Sequence, residues 1–341
     1  MNSTGPSSGD SAMTVAMVVG TGEVGARAAR QLVDTPGFAT ILLADRDTSR
    51  ARTVAEALGP SAHAIEYVPG ESIPPDVGVI ACALPAGVGH DVVAAAIAAG
   101  VPVASSDDEH DALEQLRALD QNARTSGVTV AIGCGLAPGL SDVLAAHAAS
   151  LFESVDEIRV ARTGWAGPAS VDTVRHERRL PVRAWRDGGW REERSRGDAL
   201  VFFPEPIGGR DCRVVTGATT LLVDTFPNVS RLSVQLGEPP RRTRFRRRFG
   251  DEGEWGAARI EVWGQRDQSH GCVAYGVVDR TAVAAGASLA VVTARLAGTL
   301  GPVVKQPGVQ GLGVLLEPVP FLAELAQRGV RAAVFEGVPV A

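Results

Sequence analysis

Three glycines, Gly20, Gly22 and Gly25, stand between an apolar run and a helical one. The chain reads Thr14 to Val19 without a charge, then Gly20-Thr21-Gly22-Glu23-Val24-Gly25, then helical spacing to Leu32; a second apolar run, Ile41-Leu42-Leu43-Ala44, ends in Asp45. The glycines serve separate ends. Gly20 allows a tight turn, Gly22 lets the backbone approach a pyrophosphate, and Gly25 brings helix and strand together. The free N–H groups and positive end of a helix opening at Glu23 then face an anion. In a chain with 39 glycines the triplet alone is a weak signal. Strand, turn, helix, strand and an acid roughly twenty residues on, all in register, make it specific for a dinucleotide. Asp45 is placed for the adenosine ribose hydroxyls and favours NAD, while Arg46 directly after it suits the 2′-phosphate of NADP; the reading leans to NAD with both open.

Other residues able to do chemistry are fewer. In Ser105-Ser106-Asp107-Asp108, at the end of an apolar strand, Asp107 is the carboxylate chosen to hold a substrate cation, against a competing role as a helix cap. His176 has the unperturbed pKa of a proton relay, and Arg175 and Arg178 beside it suit a substrate carboxylate. Tyr275 is a further acid/base candidate, but Asp279 stands where a short-chain reductase would carry its lysine. Cys82, Cys134, Cys212 and Cys272 form no C-x-x-C pair and read as reduced thiols, with no metal expected. The arginine-rich run Arg241 to Arg248 is read as a charged, protected edge strand. H-E-x-x-H, G-x-S-x-G and the Walker loop are all missing from the sequence.

The elements needed to position these groups follow in order. A helix over Thr48 to Leu58 stops at Gly59-Pro60, Ala64 to Val68 is a weak strand, and Val77 to Ala83 is a buried one ending at Leu84-Pro85. In a doubly wound sheet the turn of Ala83, Leu84 and Pro85 lies beside the first glycine turn and forms a second cofactor wall. Helix His90 to Ala99, strand Val101 to Ala104, helix Asp111 to Ser126 and strand Val128 to Ile132 complete six strand–helix alternations, which predict a parallel sheet covered on both faces. A loop with Gly135, Pro138 and Gly139 precedes a helix from Val143, and its N–H groups are expected to point at the nicotinamide.

After Val155 the texture changes. Short, partly alternating segments (157–162, 199–203, 213–216, 231–236, 258–263 and 272–278) predict a mixed or antiparallel sheet, so the fold class is α/β, a Rossmann-type doubly wound sheet with a second α+β domain. All five tryptophans fall in this half. The helix over 281–300 is rich in small residues for close packing, and a short one follows over 320–328. The expected division is a disordered tail over 1–13, a dinucleotide domain over 14–150, a substrate and dimerisation domain over 151–280, and C-terminal helices over 281–341 that return to the nucleotide domain.

At 341 residues two domains are expected. A formal charge of -6 gives no electrostatic case for nucleic acid or an anionic membrane, and no apolar stretch is long enough to span a bilayer. A cytoplasmic protein with a small-molecule substrate is expected, as a homodimer through the second domain.

The glycine turn with Ala44-Asp45-Arg46-Asp47, the loop Gly135-Leu136-Ala137-Pro138-Gly139-Leu140, and the segment Pro318-Val319-Pro320-Phe321-Leu322 to Arg328-Gly329 resemble the saccharopine dehydrogenase-like reductases. The resemblance covers most of the chain and is strongest over residues 14 to 150. It implies hydride transfer between a nicotinamide and the C–N bond of an amino-acid-derived imine or secondary amine. Two alternatives stay open: a nucleotide-binding sensor or scaffold without turnover, and a carbonyl reductase.

Overall fold

Apolar runs alternating with helical spacing fold, in a computed structural model, into a seven-stranded parallel sheet; the structure describes residues 13–193, 197–238, 254–301 and 304–334. In chain order its elements are β1 (Thr14–Val19), α1 (Glu23–Val33), β2 (Phe38–Asp45), α2 (Thr48–Leu58), β3 (Ala62–Glu66), β4 (Val77–Cys82), α3 (Gly89–Ala99), β5 (Val103–Ser105), α4 (His110–Arg117), α5 (Asp120–Thr125), β6 (Thr129–Ile132) and α6 (Leu140–Ala149). The strand order β3-β2-β1-β4-β5-β6 reverses direction between β1 and β4, so the turns after these two strands open side by side. Met17, Val18, Val79 and Ile80 are wholly buried on these central strands, as a sheet covered on both faces requires.

The second half supplies β7 (Ser154–Thr163), α7 (Pro168–Glu177), β8 (Val182–Arg186), β9 (Gly189–Glu193), β10 (Asp198–Phe202), β11 (Gly209–Val215), α8 (Thr219–Thr225), β12 (Arg231–Gly237), β13 (Trp255–Arg266) and β14 (Ser269–Arg280). They form a mixed sheet in which β7 runs parallel to β12 and antiparallel to β13. The chain then returns through α9 (Thr281–Ala297), β15 (Gly308–Gly311), α10 (Leu312–Leu315), α11 (Pro318–Gln327) and β16 (Ala332–Val334). This last segment joins both sheets: β15 pairs with β6, and β16 with β14.

The small residues of α9 act as their type suggests. A Cβ on Gly286 would lie 2.5 Å from Cβ of Arg27 and 3.0 Å from the carbonyl oxygen of Val24, so α9 and α1 touch backbone to backbone.

Several expectations need correction. The helix expected over 111–126 is two, broken at Leu119, where Asp120 turns its carboxylate to the N–H of Val309 on β15, 2.8 Å away. The helix expected from Val143 starts at Leu140, and β15, the β8–β9 hairpin, α7 and α8 carry too little apolar periodicity to be predicted. The arginine run from Arg241 to Arg248 lies outside the described residues.

Candidate functional site

The turns at the carboxyl ends of β1, β4 and β6 meet the start of α7 and of α9 around one cleft of about 810 Å³, a size suited to a cofactor with its substrate. Gly20 adopts φ +91°, and a Cβ there would lie 2.5 Å from the carbonyl oxygen of Ala83, so the first turn rests directly on the second. A Cβ on Gly25 would lie 1.8 Å from the carbonyl oxygen of Gly20. Gly25 therefore lets the helix close under the turn, and it does not itself line the cleft. Gly22 is different: a Cβ there would meet nothing within 4 Å. It sits at the N-terminus of α1, which has no side-chain cap, so the first N–H groups of the helix are left for an anion.

At one end of the cleft Asp45 accepts from the backbone N–H and hydroxyl of Thr21, at 2.9 and 2.7 Å, and from the N–H of Asp47 at 3.0 Å. Burial raises its carboxyl, but these bonds and the nearby charge of Arg50 outweigh it and hold the group below its ordinary value. Arg46, Arg50, Tyr67 and Pro69 complete this end. Ala83, Leu84 and Pro85 form the second wall and Gly135 to Pro138 the third. Gly139, at φ +118°, supports that third loop from behind: its N–H donates to Asp142, 3.3 Å away, and a Cβ on it would lie 2.5 Å from two backbone oxygens.

The opposite end belongs to the second domain. Arg162, near the end of β7, donates to Asp108 at 2.7 Å, and both side chains line the cleft beside Ser170, Thr173 and Thr281. Leu136, Ala137, Pro138, Ala166, Pro168 and Ala285 add apolar surface.

None of the catalytic or substrate-binding residues selected from sequence faces this space. Asp107 turns inward: Ser105 donates to it at 2.7 Å, and it packs so closely on Gly89, the first residue of α3, that a Cβ there would lie 2.5 Å from its Oδ2. Burial pushes its carboxyl up to about 6 against the bond from Ser105. It lies against the start of α3 but is not a cap residue: the N-caps of α3 and α4 are Val88 and Glu109. His176 lies outside the cleft, its Nε2 3.1 Å from Glu109. Arg175 pairs with Asp172, one turn earlier on α7. Arg178 donates to Asp198 at 2.7 Å and to the carbonyl oxygen of Leu236, so it ties α7 to the second sheet. Tyr275 is buried on β14, with its hydroxyl 2.9 Å from Nδ1 of His147. Residues missed from sequence are Arg50, Tyr67, Arg162, Ser170 and Thr173; Asp108 was weighed beside Asp107 and passed over.

Residues 14–134 match the family model of the oxidoreductase family with an NAD-binding Rossmann fold. This part of the chain is an NAD-binding oxidoreductase domain. Its donor set fits a dinucleotide: the uncapped start of α1 and the open side of Gly22 for the pyrophosphate, and the Asp45 end for adenosine. The whole chain is similar in fold to the saccharopine dehydrogenase (L-Glu forming) of Saccharomyces cerevisiae, with 14% identity, a TM-score of 0.69, and coverage of 95% of this chain and 100% of that one. DAP dehydrogenase of C. glutamicum, in complex with DAP, is similar over 92% of this chain and 98% of its own, with 13% identity and a TM-score of 0.52. At such identities the likeness is one of fold. No described helix is long and apolar enough to cross a membrane.

Proposed function

We propose that this NAD(P)-dependent oxidoreductase moves hydride to or from the C–N bond of an amino-acid-derived imine or secondary amine. The observation that carries the reading is the Asp108–Arg162 pair on the cleft wall away from Asp45. An amino-acid-derived imine carries a cationic nitrogen and a carboxylate, and this wall presents one group of each opposite sign. When bound, the nicotinamide supplies or accepts the hydride. The protein's own part is placement: Asp108 holds the charge of the protonated nitrogen, Arg162 receives the carboxylate, and Leu136, Ala137, Pro138 and Ala285 keep water from the reacting carbon. The fold likeness to saccharopine dehydrogenase supports a site of this shape without naming the molecule.

The test is oxidation of NADH and NADPH by the full chain with a panel of 2-oxo acids, each with and without an amino-acid amine. Turnover that needs both partners supports the proposal. Turnover with the oxo acid alone would replace it with carbonyl reduction, and nucleotide binding without turnover would favour a sensor.

A further inference from the structure

The adenosine end of the cleft bears on which dinucleotide this reaction uses. Two arginines, Arg46 after β2 and Arg50 in the first turn of α2, both line it. Both are exposed, and among the described residues neither side chain has a hydrogen-bond or ion-pair partner. Two acids lie near, Asp45 and Asp47; the charge of Arg50 acts on both carboxyls, but among the described residues neither forms an ion pair with it. Asp47 caps α2, accepting from the N–H and hydroxyl of Ser49, at 3.1 and 2.6 Å, and more weakly from the N–H of Arg50. Asp45 is tied into the glycine turn by Thr21 through Oδ2 and by the N–H of Asp47 through Oδ1.

That engagement matters for the nucleotide. An ionised carboxylate has roughly four acceptor sites, two on each oxygen. Thr21 occupies both on Oδ2, and Asp47 occupies one on Oδ1. A ribose 2′,3′-diol presents two O–H donors, and one open site cannot receive both. A 2′-phosphate is a dianion, or close to it, that matches two guanidinium groups in charge and in planar donor geometry.

We propose that Arg46 and Arg50 form a 2′-phosphate site and that the protein takes NADP in preference to NAD, with Asp45 serving to hold the glycine turn. This reverses the lean to NAD drawn from the sequence, in which Asp45 takes the ribose hydroxyls and repels a 2′-phosphate; the two guanidinium charges offset that repulsion. It rests on the dinucleotide reading of the cleft but not on the identity of the reduced substrate.

Calorimetric titration of the full chain with NADPH, NADH, adenosine 2′,5′-bisphosphate and 5′-AMP tests the proposal without turnover. NADPH is expected to bind at least about tenfold more tightly than NADH, and the bisphosphate likewise over 5′-AMP, as removal of a charge-assisted contact predicts. Raising the salt concentration should weaken NADPH more than NADH. In R46A/R50A the ratio of the two affinities should fall to near one, with a cooperative circular-dichroism melting curve retained because both side chains are exposed. NADH binding as tightly as NADPH, or a double variant that keeps the wild-type ratio, overturns the proposal and leaves the oxidoreductase reading standing. Binding of none of the four ligands overturns both.

Discussion

Thr21 and Asp45 are joined by two hydrogen bonds to one oxygen, from a backbone N–H at 2.9 Å and a hydroxyl at 2.7 Å. Twenty-four residues apart, they fasten the glycine turn to the end of the second strand. Thr21→Val keeps the shape and the N–H bond but removes the O–H bond. The expected cost is about 1 kcal/mol of stability, measured by urea unfolding at pH 7. The pH dependence has a definite sign. The folded carboxyl lies below its ordinary value, so its contribution is fully present above the unfolded pKa, near 3.9, and is lost as pH falls through the lower folded value. As pH falls below about 4 the variant and the wild type should therefore draw together, meeting only below the folded value.

The two inner glycines separate folding from binding. Gly22 has φ -71° and open space where a Cβ would point, so Gly22→Ala should leave stability within about 0.5 kcal/mol of wild type. Its methyl group would project toward the anion, and dinucleotide affinity is expected to fall about tenfold or more. Gly25→Ala puts a methyl group 1.8 Å from the carbonyl oxygen of Gly20, and α1 must shift. It should lose both stability and binding. Thermal melts beside nucleotide titration distinguish the pair, and a Gly22→Ala protein that binds normally would remove the pyrophosphate from this turn.

Asp108 and Arg162 carry the substrate proposal, and their replacement should spare the nucleotide. Asp108→Asn keeps a hydrogen-bond acceptor for Arg162 but removes the charge that faces a cationic nitrogen. A loss of about 10² to 10³ in kcat/KM is expected, with the Kd for NADPH unchanged. Arg162→Lys keeps the charge but not the planar donor pair, and the expected change is mainly a raised KM. Steady-state kinetics with separate nucleotide titration check both.

The positions of these residues show where sequence reading stops. The turn from Gly20 to Asp45 was legible because its chemistry is local: strand, glycines and acid are fixed by spacing along one βαβ unit. The strand ending at Ser105 was also legible, yet the choice between Asp107 and Asp108 was not. Adjacent residues leaving a strand turn to opposite sides, and which side meets the cleft depends on what packs there. In the structure Asp107 faces the start of α3, while Asp108 meets Arg162 across 54 residues of sequence. Arg162 sat on a strand predicted correctly, but its partner is set by the docking of the two sheets. β15 holds one large apolar residue, Val309, and exists because β6 offers it an edge.

Asp142 gives the final prediction, since it is buried at the start of α6 and holds the third cleft wall. Its Oδ2 accepts from the N–H of Gly139 at 3.3 Å, and its Oδ1 accepts from the hydroxyl of Ser141 at 3.0 Å. Burial outweighs both bonds and pushes the carboxyl up to about 7. The unfolded chain releases this proton near pH 3.9, and the folded chain keeps it until about 7. Between those values the folded state binds more protons, so its stability falls as pH rises and levels off above the folded pKa. Asp107, pushed up to about 6, contributes a fall of the same sign that ends earlier. Asp142→Asn removes that residue's share over the whole window, which between pH 6 and 7 is nearly all of the fall. Urea midpoints taken at pH 5, 6, 7 and 8 should drop less steeply between 6 and 7 in the variant than in the wild type. Because the Gly135 to Pro138 loop rests on this residue, the pH dependence of nucleotide affinity over the same range should flatten with it. Equal slopes in the two proteins would show that Asp142 is ionised throughout and that the loop is held by a charge.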